Sequence, residues 1–250
     1  MRVPPPPRIP PPGTLTEEEQ DALPPMSMAD LSAAALERII GERPVDLSLY
    51  MVAFTHPDAG LAYHFEKMEF LGDSILSFVA AKYLIQRFPE EEEGFLTIMR
   101  TRLTRSEQLY RFSKALGLDQ FVIMRGKSIY LGHHRSKRVL EDVFEALVCA
   151  VYEDLGMLAA RDFITRTFDG ADWDDLSKNR NYKDVLMRMC HARHIELPEY
   201  RCRRQEDGRE FMVTIDLDGH HGEGVDRVKK KAEQMAAKCV LISFGVPVDE

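Results

Sequence analysis

The chain has no apolar run approaching the roughly 18 residues that span a bilayer as a helix, so a helical membrane protein is not expected. No signal peptide is read at its start. Cysteine is scarce, with only Cys149, Cys190, Cys202 and Cys239 among 250 residues. None has the CxxC spacing of a zinc site. They fall in apolar or strand-like contexts and read as reduced thiols, which points to an intracellular (cytoplasmic) protein. Net positive charge is also missing: 33 Lys and Arg face 41 Asp and Glu, a formal charge of −8. That is awkward for a nucleic-acid binder, because phosphate contacts dominate such affinity. The charge is uneven, however. From Asn181 onward there are 12 basic and 13 acidic residues, against 21 and 28 before it. The C-terminal part is near neutral, and the acidic excess lies upstream, partly in the Glu90–Glu93 run.

What is present is organised around Phe65–Ser74, FEKMEFLGDS. On a helix of 3.6 residues per turn, Glu66, Glu69 and Asp73 fall within a narrow arc of one face. Met68, Phe70, Leu71, Ile75 and Leu76 take the other faces. Like charges at this spacing destabilise a helix unless something cationic lies beside them. The stretch LEDVFEALVCAVYEDLG repeats the pattern with Asp142 and Glu145 one turn apart. Two such helices face to face would offer four or five carboxylates to one cavity. Hard oxygen donors of that kind suit Mg²⁺ or Mn²⁺, and paired divalent ions commonly drive phosphodiester hydrolysis. For any single acid, a solvated surface position is the competing reading.

The rest of the chain reads in order. MRVPPPPRIPPPG lacks the N–H donors for helix or sheet, so residues 1–29 are expected as a proline-rich disordered tail. Asp30 is the expected N-cap of a first helix, and Leu47–Phe54 begins another. The Thr55-His56-Pro57 turn follows, with His56 either a hydrogen-bonded structural histidine or a ligand. The acidic helix runs to about Phe88. Ser106 is expected to cap a helix closed by Gly117. Arg125–Arg138 is a basic loop, either mobile surface or a phosphate contact; His133 and His134 within it lack anything that would fix them on a metal. A helix near Leu158–Phe168 would complete an all-α domain at residues 30–169, with a linker at 170–180. From Asn181 an amphipathic helix, three short strands (about Tyr200–Gln205, Phe211–Leu217 and Gly222–Asp226) and a last helix give an α-β-β-β-α module at 181–246. The Glu206-Asp207-Gly208-Arg209 stretch is the turn between the first two strands. Lys229, Lys230 and Lys231 crowd the start of the last helix, the wrong end for cations in its dipole, so an anionic partner is expected unless they are simply a solvated face.

FEKMEFLGDS resembles the signature of the ribonuclease III family, and LEDVFEAL resembles its second acidic motif. The likeness extends to Thr55-His56-Pro57 and Glu93-Gly94-Phe95-Leu96. The C-terminal order, with GEGVDRVKKKAEQMAA near its end, is similar to a double-stranded RNA-binding domain. The resemblance implies a multidomain protein: an all-α ribonuclease III domain followed by that RNA-binding domain. It implies Mg²⁺-dependent cleavage of duplex RNA, with Glu69, Asp73, Asp142 and Glu145 as metal ligands and Glu66 supporting the catalytic site. Glu93 is placed near the scissile region, and Lys229, Lys230 and Lys231 on phosphates. Phe70 is implied to insert into a partner subunit of a homodimer; filling its own domain's core is the alternative. Two departures stand out: the β1–β2 turn is more acidic than the family's, and Phe65 precedes Glu66 where asparagine is common. The second tilts the reading toward a large-DNA-virus protein that cuts silencing RNAs, against bacterial-type RNA processing. A non-catalytic protein that sequesters duplex RNA is the remaining competitor.

Overall fold

The computed structural model describes residues 16, 18–19, 22–177, 181–205 and 208–246. The chain divides into two compact units, Met1–Leu176 and Ser177–Glu250.

The first unit is helical. Ser32 accepts from the Ala35 amide at 3.2 Å and starts α1 (Ala33–Ile40). The expected cap, Asp30, lies two residues too early, because Ser32 is the residue whose oxygen reaches the first free N–H. Asp46 caps α2 (Leu47–Phe54). The acidic signature forms α3 (Glu66–Arg87), followed by α4 (Glu93–Leu103), α5 (Ser106–Ala115) and the short α6 (Gly126–Tyr130). Ser106 opens α5 but does not cap it; its hydroxyl donates to Glu141 at 2.6 Å instead.

The longest helix is α7, Lys137–Asp169, started by Ser136 accepting from the Val139 amide. Two helices were expected here. They meet in a kink at Gly156, whose φ of 85° and ψ of 177° are not helical, so the run consists of the two expected helices end to end; glycine takes that conformation at little steric cost. The core closes over both halves of α7, with Phe144, Phe163 and Phe168 fully buried beside Tyr50, Phe54 and Leu76.

Two expected borders move. Residues 1–15 of the proline-rich tail lie outside the described residues, but its end is docked. The Met26 amide donates to Met124 O at 2.9 Å and the Ala29 amide to Gln120 O at 2.8 Å. Backbone pairing becomes possible where N–H groups resume after Pro24 and Pro25. The expected linker at 170–180 likewise starts as a helix, α8 (Trp173–Ser177). Trp173 stacks on Tyr83 with Arg87 over its ring at 4.3 Å, and Leu176 is buried. Residues 178–180 lie outside the described residues.

The second unit has the α-β-β-β-α order: α9 (Tyr182–Arg193), β1 (Arg201–Arg204), β2 (Phe211–Leu217), β3 (His220–Asp226) and α10 (Lys229–Ser243). The strands form one antiparallel sheet in the order β1-β2-β3. Leu186, Cys190, Val213, Ile215, Val240 and Leu241 make its core. In β3, a Cβ on Gly224 would stand 2.1 Å from Ala232 O of α10, so the pattern of glycine on the strand and alanine on the helix sets how closely they pack. Glu206 and Asp207 of the expected turn lie outside the described residues.

Candidate catalytic cleft

The acids are assembled by the packing of α3 against α7. Gly72 is the contact. A Cβ there would lie 1.8 Å from the backbone oxygen of Glu145. Only hydrogen fits, and its presence lets the two acidic helices approach backbone to backbone.

Glu66 and Glu69 from α3 and Asp142 from α7 line a cleft of about 340 Å³ together with His56, Ser136 and Arg138. Glu145 lies deeper, only 9% exposed. Burial is the main cause that drives its carboxyl up to about 8, followed by the charges of Asp73, Glu141, Glu69 and Asp142. Burial likewise raises Asp142 to about 6, with Glu69 the next contributor and Arg138 opposing. Glu69 is raised by burial and then by Glu66. Each acid therefore feels those on the facing helix: Asp73 acts on Glu145, and Glu69 on Asp142. Six carboxylates from two sequence-distant motifs share one field, and Asp73 itself is exposed.

All donors are carboxylate oxygens, which suits a hard divalent cation, and a bound cation would relieve their mutual repulsion. Among the described residues, however, no three of these side chains already meet as a ligand group. The donor chemistry fits a metal; binding it would require deprotonating Glu145 and drawing the carboxylates together.

The other sequence-derived positions fall as follows. The ring of His56 accepts the Asp58 amide at Nδ1, 2.9 Å away, and meets Phe65 edge-on; burial lowers its proton affinity. It is thus a hydrogen-bonded histidine, although it also borders the cleft. Glu66 is exposed at the rim, 3.5 Å from His64. Glu93 does not line the cleft: it opens α4 and accepts from the Thr97 hydroxyl at 2.9 Å. Phe70 is 80% exposed, so it does not fill its own domain's core. Lys229, Lys230 and Lys231 are exposed on the first turn of α10, where among the described residues no side chain caps the helix; Glu233 lies 3.9 Å from Lys229. His134 is buried with neither ring nitrogen hydrogen-bonded among the described residues.

Two participants escaped sequence reasoning. Glu141 adds a charge beside Asp142, and its only sequence signal was adjacency. Arg138 stands one turn before Asp142 and reads in sequence as part of a basic loop. A larger cleft, about 400 Å³, lies in the second unit between α9 and the start of α10. It gathers no acid cluster, unlike the smaller one.

Known proteins bear on this arrangement. The Ribonuclease-III-like family matches residues 46–169, and the double-stranded RNA binding motif matches 182–242. A protein of Paramecium bursaria Chlorella virus 1 is 39% identical over 85% of this chain and 79% of its own length. Ribonuclease 3 of Pseudomonas fluorescens is 34% identical over 86% of this chain and 97% of its own. The nuclease domain of ribonuclease III from Campylobacter jejuni, in a structure concerned with flexibility in the region of dimer formation, superposes with a TM-score of 0.53. It is 27% identical over 55% of this chain and 96% of that domain. With the α3–α7 acid cluster and the α-β-β-β-α unit both in place, the chain belongs to the ribonuclease III family.

Proposed function

We propose that this protein is a divalent-metal-dependent endoribonuclease that hydrolyses phosphodiesters within duplex RNA, leaving 5′-phosphates and short 3′ overhangs. The observation that carries this reading is the convergence of carboxylates from α3 and α7 across Gly72. Glu69, Asp73, Asp142 and Glu145 would hold Mg²⁺, with Mn²⁺ a substitute, and Glu66 supports them from the rim. A cation bound there would activate water and stabilise the leaving oxygen. The protein's part would be to supply these four oxygen donors from two packed helices, with Glu145 giving up its proton on binding.

The second unit supplies duplex affinity. Lys229, Lys230 and Lys231 project from an uncapped helix start, where the dipole adds to their positive charge, and phosphates would offset both. Glu93, at the start of α4, faces solvent where a substrate strand could pass. A duplex has two antiparallel strands, so a two-fold homodimer would present one site to each. Phe70, exposed on the helix that carries the acids, is the proposed joint. The domain borders proposed are nuclease to residue 176 and RNA-binding unit from Asn181.

The test is incubation with long duplex RNA and with short interfering duplexes, with and without Mg²⁺. Metal-dependent cutting of both supports a role in destroying silencing RNAs. Cutting of long duplexes alone supports processing of structured RNA. Binding of both without cutting would replace the enzyme by a sequestering protein.

A further inference from the structure

Arg138 is a cation inside an acidic cleft that pairs with none of the acids. It lies on α7 four residues before Asp142 and seven before Glu145, hence on the same helix face. It lines the cleft with Glu66, Glu69 and Asp142. The side chain is exposed and makes no hydrogen bond or ion pair among the described residues. Other cations of this unit do pair: Lys114 with Asp119 at 2.9 Å, Lys137 with Glu107 at 2.9 Å and Arg111 with Asp175 at 3.1 Å. A guanidinium placed only to neutralise the cluster would be expected to form the bidentate pair that carboxylates favour. Its field nevertheless reaches them, opposing the upward shift of Glu69 and Asp142.

An RNA backbone entering this cleft meets a floor of like charge. A cation at the mouth offsets that repulsion, and a guanidinium matches two phosphate oxygens at once where an ammonium offers a point charge. We propose that Arg138 seats the RNA, its guanidinium taking two non-bridging oxygens of a backbone phosphate and so holding the strand over Glu69, Asp142 and Glu145. This rests on the endonuclease reading above and adds a substrate-positioning residue to it.

The test uses the full chain carrying Arg138→Ala or Arg138→Lys. Duplex binding is measured against salt in a Glu145→Gln background, and single-turnover cleavage in the otherwise wild-type chain. The alanine variant should lower the slope of log affinity against log salt by about 0.9 per guanidinium lost and cut the cleavage rate at subsaturating RNA at least tenfold. The lysine variant should keep the slope, because the charge remains, and recover only part of the rate. Unchanged melting temperature checks that both variants fold, as an exposed, unpaired side chain allows. An unchanged slope in the alanine variant, with half-maximal cleavage at lower Mg²⁺, would overturn the proposal and make Arg138 a counter-charge for the acids. If the wild-type chain itself fails to cut, the endonuclease reading fails, while the salt slope still reports whether Arg138 meets phosphate.

Discussion

Glu145 is held where its charge is disfavoured, behind Gly72 and among four other acids. Its proton affinity has a consequence for stability. The folded carboxyl titrates at about 8 against a usual 4.5, so between those values the folded state binds the extra proton. Stability is therefore full at low pH and falls as pH rises toward 8. Asp142 adds a similar loss that ends near 6. The histidines work oppositely. Burial depresses His134 and His56 from 6.5, and their contribution is lost as pH falls below that value. From pH 6.5 to 8, Glu145 dominates. Without divalent ions the melting temperature should fall across that window, and Glu145→Gln should flatten the fall; a wild-type curve already flat would refute the burial argument. His134→Leu should raise the melting temperature more at pH 5.5 than at 7.5, since a buried ring with no hydrogen-bond partner costs most when charged. At this scale the sequence displayed which acids share a face, because spacing alone decides that. It did not display that Glu145 is buried or that Arg138 joins the cleft, because each depends on where a distant helix lands.

The α3–α7 pair is the element on which the site depends, and Gly72 permits it. Glycine inside a helix normally costs about 1 kcal/mol relative to alanine, so Gly72→Ala would stabilise an isolated α3. Here the added Cβ would meet Glu145 O at 1.8 Å. Backbone must then move, and the expected net loss is about 1–3 kcal/mol, the range for overpacking. Cleavage should fall with it, because the same displacement parts Asp73 from Glu145. A melting temperature equal to or above wild type would show that the helices are not in contact there. Helix and strand identities were legible from periodicity, and β2 at Phe211–Leu217 falls where alternation placed it. The joins were not. Trp173 and Leu176 read as linker, because the surface that receives them is built by Tyr83 and Arg87 on another helix.

At the level of the whole molecule, α3 leaves an apolar stripe uncovered: Phe70, Phe78 and Ile85 are each more than half exposed. Contiguous exposed apolar surface commonly marks an interface. Burying one phenylalanine contributes roughly 1.5–3 kcal/mol, and a two-fold contact loses two copies at once. Phe70→Ala should therefore weaken dimerisation a hundredfold or more in sedimentation. Wild-type protein that stays monomeric at micromolar concentration, with and without RNA, would end the dimer proposal. Two-domain order was readable from the change in pattern at Asn181, whereas a second subunit leaves only an exposed residue as its trace. The central claim is that the α3–α7 acids hydrolyse duplex RNA, and one measurement addresses it directly. Wild-type and Glu145→Gln proteins are given the same labelled duplex at saturating Mg²⁺ under single-turnover conditions, with binding followed in parallel. The expected result is duplex cleavage by the wild type, loss of at least a hundredfold in rate in the variant, and affinity within a fewfold of wild type. Cleavage by the variant at the wild-type rate would contradict the account.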